Sequence, residues 1–169
     1  MRKAKVCLIG ATAVGKSSLV GRYVRSIFSE QYQTTIGVKI ESRVVERAGG
    51  PLDLVVWDLS GEDEFQNVQP SYLRGAWGYH LVIDGTRRET MDVASALEAR
   101  VRATVGPVPF VVILNKADLV ARWELTRADV DRMRGRGWVL LETSAKTGVG
   151  VEAAFDLLVD AMLREQPWT

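Results

Sequence analysis

Short apolar runs punctuate the chain, and four of them have the length of buried β-strands. They lie at residues 3–9, 79–83, 110–114 and 138–141. Between them, apolar residues recur every three or four positions, which is the period of an α-helix with one buried face. Alternation of buried strands with such helices is typical of a mostly parallel sheet covered on both faces. The pattern therefore predicts an α/β fold.

The first helical segment begins near residue 16, and we expect it to end near Ser26. We expect Arg22 and Arg25 to point away from its apolar face, which is formed by Leu19, Val20, Tyr23, Val24 and Ile27. This helix should pack on one side of the sheet.

Three further helices follow from the same period. One covers residues 90–104, and a long apolar stripe predicts another that begins near Val151. Between them, Thr126 with Asp129 three residues later indicates a weakly capped short helix that stops at Gly135.

One pair of strands should be antiparallel. Residues 38–47 alternate moderately, G-G-P at residues 49–51 breaks the chain, and residues 52–57 form the next apolar run. A break of this kind between two such runs is typical of a β-hairpin. Residues 28–37 read as a loop, and residues 58–72 as a loop with a short helical piece.

Size and charge limit the classes of protein to which this chain can belong. Its 169 residues fit one domain, and 22 basic residues balance 21 acidic ones to a net charge of +1. No global field therefore attracts nucleic acid or an anionic membrane. The single cysteine, Cys7, excludes an internal disulfide and fits a reducing cytoplasm.

No segment of the sequence predicts a membrane anchor. No apolar window is long enough for a signal peptide or a membrane span. Residues 164–169 contain no cysteine to prenylate and no polybasic run. We therefore expect a cytoplasmic protein with no direct membrane anchor.

Residues 10–17 read G-A-T-A-V-G-K-S, the pattern G-x-x-x-x-G-K-S of a phosphate-binding loop between a strand and a helix. Backbone N–H groups around Val14, Gly15 and Lys16 would form an anion nest at the positive end of the following helix. Lys16 would supply a charge for the β and γ phosphates, and the Ser17 hydroxyl would ligate Mg²⁺. The motif indicates a nucleoside polyphosphate as ligand.

Four more motifs follow the loop. They are T-T-I-G at residues 34–37, W-D-L-S-G at 57–61, N-K-A-D at 115–118 and E-T-S-A-K at 142–146. In this order and spacing the chain resembles the Ras-like small GTPases, and the T-I-G run with the tryptophan before the aspartate resembles the Rab branch most. The resemblance covers nearly the whole chain.

The resemblance implies one G domain over residues 1–169. Its fold would be the three-layer P-loop NTPase fold, with a six-stranded, mostly parallel sheet, one antiparallel edge strand and about five helices. The nucleotide would lie at the carboxyl ends of the strands.

Guanine recognition follows from the chemistry of its base. Guanine presents two N–H donors on one edge where adenine presents an acceptor and no amino group, and a carboxylate at Asp118 would accept both. Loss of these two hydrogen bonds should disfavour adenine by at least about a hundredfold. By resemblance, the residues that contact GTP or GDP are Ala13, Val14, Gly15, Lys16, Ser17, Ser18, Phe28, Thr35, Gly61, Asn115, Lys116, Asp118, Ser144, Ala145 and Lys146.

The resemblance also implies Mg²⁺ held by Ser17, Thr35 and Asp58, with Thr35 as a ligand only when the γ-phosphate is present. Gly61 would offer its backbone N–H to the same phosphate. Two loops would thus be ordered by one phosphoryl group. Effector, exchange-factor and activating proteins would bind residues of about 28–40 and 58–75, and nucleic acid is not an expected partner.

The chain departs from the family pattern at Glu62 and, in the phosphate-binding loop, at Thr12 and Ala13, where Ras itself has glycine. Glu62 stands where the family has a water-orienting glutamine, and a carboxylate cannot donate to a phosphate oxygen. The Glu62 carboxylate and the γ-phosphate would both be negative. Two like charges ~5 Å apart at an effective dielectric of ~20 repel by about 3 kcal/mol. Thr12 lies where a partner's arginine would approach, and no arginine lies shortly before Thr35 to act in cis.

Three hypotheses about function remain from the sequence. The first is a switch that hydrolyses GTP slowly, with Glu62, Thr35, Gly61 and Lys16 as the catalytic residues. The second is a GTP-binding interaction module with negligible hydrolysis because of Glu62. The third, a P-loop nucleotide kinase or ATPase, is opposed by N-K-x-D at residues 115–118.

Overall fold

The computed structural model describes residues 1–26, 28, 38–59 and 69–167. Five α-helices, one 3₁₀ turn at Val120–Arg122 and six strands occur in this part of the chain. In chain order the helices and strands are β1 (Arg2–Gly10), α1 (Lys16–Arg25), β2 (Val38–Arg47), β3 (Gly50–Leu59), α2 (Pro70–Leu73), β4 (Ala76–Asp84), α3 (Glu89–Val105), β5 (Phe110–Asn115), α4 (Arg127–Gly135), β6 (Leu140–Glu142) and α5 (Val151–Glu165).

All six strands form one sheet in the order β2-β3-β1-β4-β5-β6. The pairs β1–β3, β1–β4, β4–β5 and β5–β6 are parallel, and the hairpin β2–β3 is antiparallel. The predicted fold class, with β2 as the antiparallel edge strand, is therefore confirmed. Because parallel strands end at one edge, Gly10, Asp58, Asp84 and Asn115 come together there.

Helices cover both faces of the sheet. Tyr23 of α1 and Phe155 of α5 are buried on one face, where their rings stack with centroids 3.7 Å apart. Leu97 of α3 and Met133 of α4 belong to the core on the opposite face. The strands β4 and β5 between the two cores are mostly apolar and buried, which is why the sequence pattern identified them.

The predicted bounds were wrong for the last strand. It begins at Leu140 rather than at residue 138, because the Trp138 ring turns into the core against Phe110, with their centroids 5.9 Å apart. The short helix α4 is also better capped than expected. Thr126 and Asp129 exchange reciprocal hydrogen bonds in a complete capping box.

Arg22 contacts a segment that is distant in sequence. Its guanidinium donates hydrogen bonds to the carbonyl oxygens of Ala145 and Lys146, more than 120 residues along the chain. Cys7 is buried, and burial raises the pKa of its thiol to about 12. None of the helices that the structure describes is long and apolar enough to span a bilayer.

Candidate nucleotide-binding site

The loop between β1 and α1 has a backbone that two glycines make possible. Gly15, which precedes α1, has a φ of +101°, and a Cβ there would lie 2.3 Å from the Asn115 Nδ2 atom. A Cβ at Gly10 would lie 2.5 Å from the Val82 carbonyl oxygen. Side chains at either position would therefore displace backbone or the Asn115 amide. The two glycines of the motif are explained by close approach.

Lys16 folds back over this loop. Its Nζ donates to the carbonyl oxygens of Gly10 and Ala11, each at 3.0 Å, and the residue is 6% exposed. Burial lowers the pKa of Lys16 from 10.5 to about 8, against the opposing effect of Asp58. Within the described residues Lys16 has no ion-pair partner within 4 Å. A bound anion would stabilise its charged form.

Ser17 and Asp58 come together beside Lys16. The Ser17 hydroxyl donates a hydrogen bond to Asp58 Oδ2, and Asp58 is fully buried at the end of β3. Its other oxygen, Oδ1, has no hydrogen-bond partner among the residues that the structure describes. Burial raises the pKa of Asp58, and the Ser17 hydrogen bond and Lys16 oppose that rise.

These two side chains fit Mg²⁺. A hard divalent cation prefers oxygen ligands and often takes only one or two protein side chains beside phosphate oxygens and water. A buried carboxylate oxygen without a partner, next to a hydroxyl, is such a donor set. Elsewhere in residues 1–26, 38–59 and 69–167 there is no cluster of three or more His, Cys, Asp or Glu side chains that could hold a metal. Thr35, the third predicted ligand, lies outside the described residues.

Asn115 ties the loop to the predicted base-binding segments. Its Nδ2 donates to the Val14 carbonyl at 3.0 Å, and its Oδ1 accepts from the Thr143 hydroxyl at 2.9 Å. All three groups are buried. The end of β5 and the segment after β6 are thus fixed against the phosphate-binding loop.

The predicted base-recognition residues lie close to one another. The Ser144 hydroxyl donates to Asp118 Oδ1 at 2.8 Å and accepts from the Thr147 backbone N–H at 3.0 Å. Asp118 is exposed, so its carboxylate is both oriented and accessible to a ligand. The Arg22 guanidinium also holds this region in place, because it donates hydrogen bonds to the carbonyl oxygens of Ala145 and Lys146.

Lys116 reaches back to the phosphate-binding loop. Its Nζ donates to the Ala13 carbonyl at 3.0 Å and pairs with Asp84 Oδ2 at 2.8 Å. Its backbone has a φ of +69°, which places it in the left-handed region. Ala13 also has a positive φ, +62°. Strain of this kind in two facing residues is frequent at ligand-binding sites.

Sequence reasoning missed three residues of this region, namely Arg22, Asp84 and Arg87. Asp84 is fully buried, and its Oδ2 accepts from Arg87 Nε at 3.0 Å. The Arg87 Nη2 in turn donates to the Thr12 carbonyl at 2.6 Å. One signal was available, because Asp84 directly follows a predicted strand in the same way as Asp58 and Asn115 do.

The remaining predicted residues are only partly placed. Phe28 is half-buried and packs against the core under α1 and α5, and Ser18 lies in the first turn of α1. Lys146 is exposed. Thr35, Gly61 and Glu62 fall outside the described residues, so their predicted roles stay predictions.

Comparison with known proteins shows the family to which the chain belongs. Residues 5–164 match the model of the Ras family. The Ras-related protein Rab-4 of Dictyostelium discoideum is 39% identical over 153 residues, which are 89% of this chain and 75% of that protein. The Ras-related proteins Rab-4B of Rattus norvegicus and Homo sapiens are 38% identical over the same length and are covered to 72%. With a match over almost its whole length, the chain belongs to the Ras family of small GTPases and is of the Rab type.

Proposed function

We propose that this protein binds GTP and GDP with Mg²⁺ and hydrolyses GTP to GDP and phosphate by in-line attack of water. Membership of the Ras family supports the coarser statement, a switch that binds guanine nucleotides. The single observation that carries the proposal is the buried ammonium of Lys16 over a loop whose two glycines permit its close packing against Val82 and Asn115.

The loop would bind the phosphates through its backbone. In a trans peptide the N–H points opposite to the preceding carbonyl. Because Lys116 takes the Ala13 carbonyl and Asn115 takes the Val14 carbonyl, the N–H groups of Val14 and Gly15 point to the other side of the loop. There they would donate to phosphate oxygens at the amino end of α1.

Lys16 would leave the Gly10 and Ala11 carbonyls for the β and γ phosphates. Ser17 and Asp58 would hold the Mg²⁺, which neutralises charge on the same phosphates and on the leaving group. Asp58 is buried at the end of β3, so water would compete little for its Oδ1 oxygen. Thr35 and Gly61 would complete the contacts with the γ-phosphate.

Asp118 would select guanine through the two N–H donors of the base. Ser144 fixes one oxygen of its carboxylate, so the carboxylate loses little rotational freedom on binding. The Ala145 N–H would reach the guanine carbonyl, the Lys116 stem would cover the base, and Phe28 would meet its ring. The same donor requirements oppose an ATPase or a nucleotide kinase.

The hydrolysis step depends on Glu62. As a carboxylate it could accept a proton from the attacking water, but it could not donate to the γ-phosphate, and it is repelled by phosphate charge. We therefore expect slow intrinsic hydrolysis. The alternative function is a GTP-binding interaction module with negligible turnover, and it is favoured by the same substitution.

Single-turnover phosphate release from protein preloaded with GTP and Mg²⁺ separates these two functions. We expect measurable release by the natural sequence and at least tenfold faster release by Glu62→Gln. If the natural protein retains GTP without releasing phosphate while Glu62→Gln hydrolyses it, the interaction module is the correct function. Multiple turnover at rates typical of partner-assisted hydrolysis would refute the expectation of slow catalysis.

Partners would bind the two segments of about residues 28–40 and 58–75. The outer face of the β2–β3 hairpin supports this, because Ile40 is 51% exposed and lies opposite Trp57 in the strand register. The Trp57 ring contacts Tyr72, with centroids 6.4 Å apart. An exposed apolar face next to nucleotide-sensing loops suits effector, exchange-factor and activating proteins. Neither nucleic acid nor a direct membrane anchor is part of the proposal.

A further inference from the structure

Every carbonyl from Gly10 to Val14 in the phosphate-binding loop accepts a hydrogen bond from a side chain. Lys16, Lys116 and Asn115 take four of these carbonyls as described above. The fifth, on Thr12, is taken by Arg87 from the β4–α3 connection. This arginine is the member of the set that no motif of the sequence indicates.

Asp84 anchors two of these donors with one oxygen. Its Oδ2 lies 3.0 Å from Arg87 Nε and 2.8 Å from Lys116 Nζ. Burial would raise its pKa, but hydrogen bonds from Lys116, Thr86 and Arg87 hold the pKa of Asp84 below its ordinary value. A fully buried, ionised Asp84 therefore fixes the two cations that hold the adjacent carbonyls of Thr12 and Ala13.

The segment that carries Arg87 is itself held firmly. Asp84 Oδ1 accepts from both the backbone N–H and the hydroxyl of Thr86, at 2.8 and 2.7 Å. The Gly85 N–H donates to the Asn115 carbonyl at 3.0 Å, and Trp123 covers Gly85 so closely that a Cβ there would lie 2.0 Å from its ring. Arg87 thus extends from a rigid base.

We infer that Arg87, anchored by Asp84, is a positioning residue that holds the Thr12–Ala13 peptide so that the Ala13 N–H faces the bound polyphosphate. The inference rests on the proposed function. Because a trans peptide is planar, fixing the Thr12 carbonyl toward Arg87 turns the Ala13 N–H to the opposite side of the loop. Without Arg87 the Thr12 peptide is free to rotate, and the nest loses one donor.

Arginine suits this task better than lysine. The guanidinium is a rigid fork, so one nitrogen binds the Asp84 carboxylate while another binds the Thr12 carbonyl. The single ammonium group of a lysine at this position could not bind the Asp84 carboxylate and the Thr12 carbonyl with the same rigid geometry.

The test compares Arg87→Ala and Arg87→Lys with Arg88→Ala as a matched control. Arg88 is the adjacent arginine, but its side chain pairs with Asp129 at the start of α4, away from the loop. The measurements are the rate of release of fluorescently labelled GDP in Mg²⁺, the single-turnover hydrolysis of GTP, and the melting temperature. Added guanidinium ion at millimolar concentration probes the space left in Arg87→Ala.

We expect both Arg87 variants to release GDP at least tenfold faster than the natural protein, with melting temperatures within a few degrees of Arg88→Ala. Guanidinium ion should slow GDP release from Arg87→Ala and should leave Arg87→Lys unchanged. A role limited to fold stability would instead lower the melting temperature and leave no response to guanidinium.

Two other outcomes overturn the inference. If the natural protein binds GDP and Arg87→Ala releases it at the natural rate, the positioning role is wrong while the proposed function stands. If the natural protein binds no guanine nucleotide at all, both are wrong. Loss of folding in Arg87→Ala leaves Arg87→Lys, which keeps the charge, to decide the question by the same release rate.

Discussion

Asn115→Ala should be among the most destabilising single substitutions in the site. The Asn115 side chain bridges the Val14 carbonyl and the Thr143 hydroxyl, at 3.0 and 2.9 Å, and the residue is 2% exposed. Alanine removes both hydrogen bonds and leaves two buried polar groups without partners. The bridge joins three segments that are far apart in sequence, so no local group can replace it.

The expected cost follows from the groups that lose a partner. Each of the two orphaned buried groups costs about 1–3 kcal/mol, so the free energy of unfolding should fall by about 2–6 kcal/mol. For a chain of this size each 1 kcal/mol corresponds to roughly 2–4 °C, so the melting temperature should fall by at least about 4 °C. The space beside Gly15, which the amide now fills, adds to the loss.

Urea unfolding provides the measurement, first in chelator without nucleotide and then at one fixed concentration of GDP and Mg²⁺. Both conditions are needed because a bound ligand adds to the apparent stability. Thr143→Val, which removes only one partner, should cost about half as much as Asn115→Ala. Thr104→Val is the matched control, since its exposed hydroxyl bonds only to Arg100 in the same helix.

A double-variant cycle of Asn115→Ala with Thr143→Val should show a coupling energy of about 0.5–3 kcal/mol. A loss below 1 kcal/mol in Asn115→Ala, or strictly additive effects in the cycle, would refute the reasoning that the bridge holds the site together.

Three further substitutions test other parts of the account. Gly85→Ala should lower the free energy of unfolding by about 1–3 kcal/mol, because its Cβ would lie 2.0 Å from the Trp123 ring. The double variant Gly85→Ala/Trp123→Ala should lose less stability than the sum of the two single losses, and strict additivity would count against this contact. Arg22→Ala should speed hydrogen exchange of the amides around Ala145 and speed GDP release several-fold, and unchanged exchange would contradict the role of its hydrogen bonds to that segment. His80, fully buried with neither ring nitrogen hydrogen-bonded among the described residues, has its pKa lowered by burial from 6.5 to about 3, with a small opposing effect of the Val111 backbone. Below pH 6.5 the His80 imidazole binds a proton in the unfolded chain but stays neutral in the folded chain, so the free energy of unfolding should fall by about 2–3 kcal/mol between pH 6.5 and 4.5. His80→Leu should lack this part of the pH dependence. Equal pH dependence in both proteins would refute the role of His80.

The central strands could be predicted from the sequence because they are buried on both faces. Continuous apolar runs mark β1, β4 and β5, and the glycine-rich break at residues 49–51 marks the hairpin. The first residue of β6 could not be predicted, because Trp138 is apolar like a strand residue but packs as the end of a loop. Only the tertiary contact with Phe110 separates the two cases.

The site was predictable where its chemistry depends on residues close in sequence. The glycines and Lys16 of the loop, and the Asp118–Ser144 pair, lie in short motifs whose residue types the chemistry requires. The roles of Arg22 and Arg87 could not be predicted, because each side chain binds a backbone carbonyl far along the chain. Every residue has such a carbonyl, so the residue types in the sequence do not indicate the contact. Their roles became visible only when the fold brought α1 beside the Ala145–Lys146 segment and the β4–α3 connection beside the phosphate-binding loop.

The most direct test of guanine recognition is a competition between GDP and ADP for the purified natural protein in the presence of Mg²⁺. GDP should bind at least about a hundredfold more tightly than ADP, because the Asp118 carboxylate accepts two hydrogen bonds from guanine and faces an acceptor on adenine. Equal affinities for the two nucleotides would contradict it.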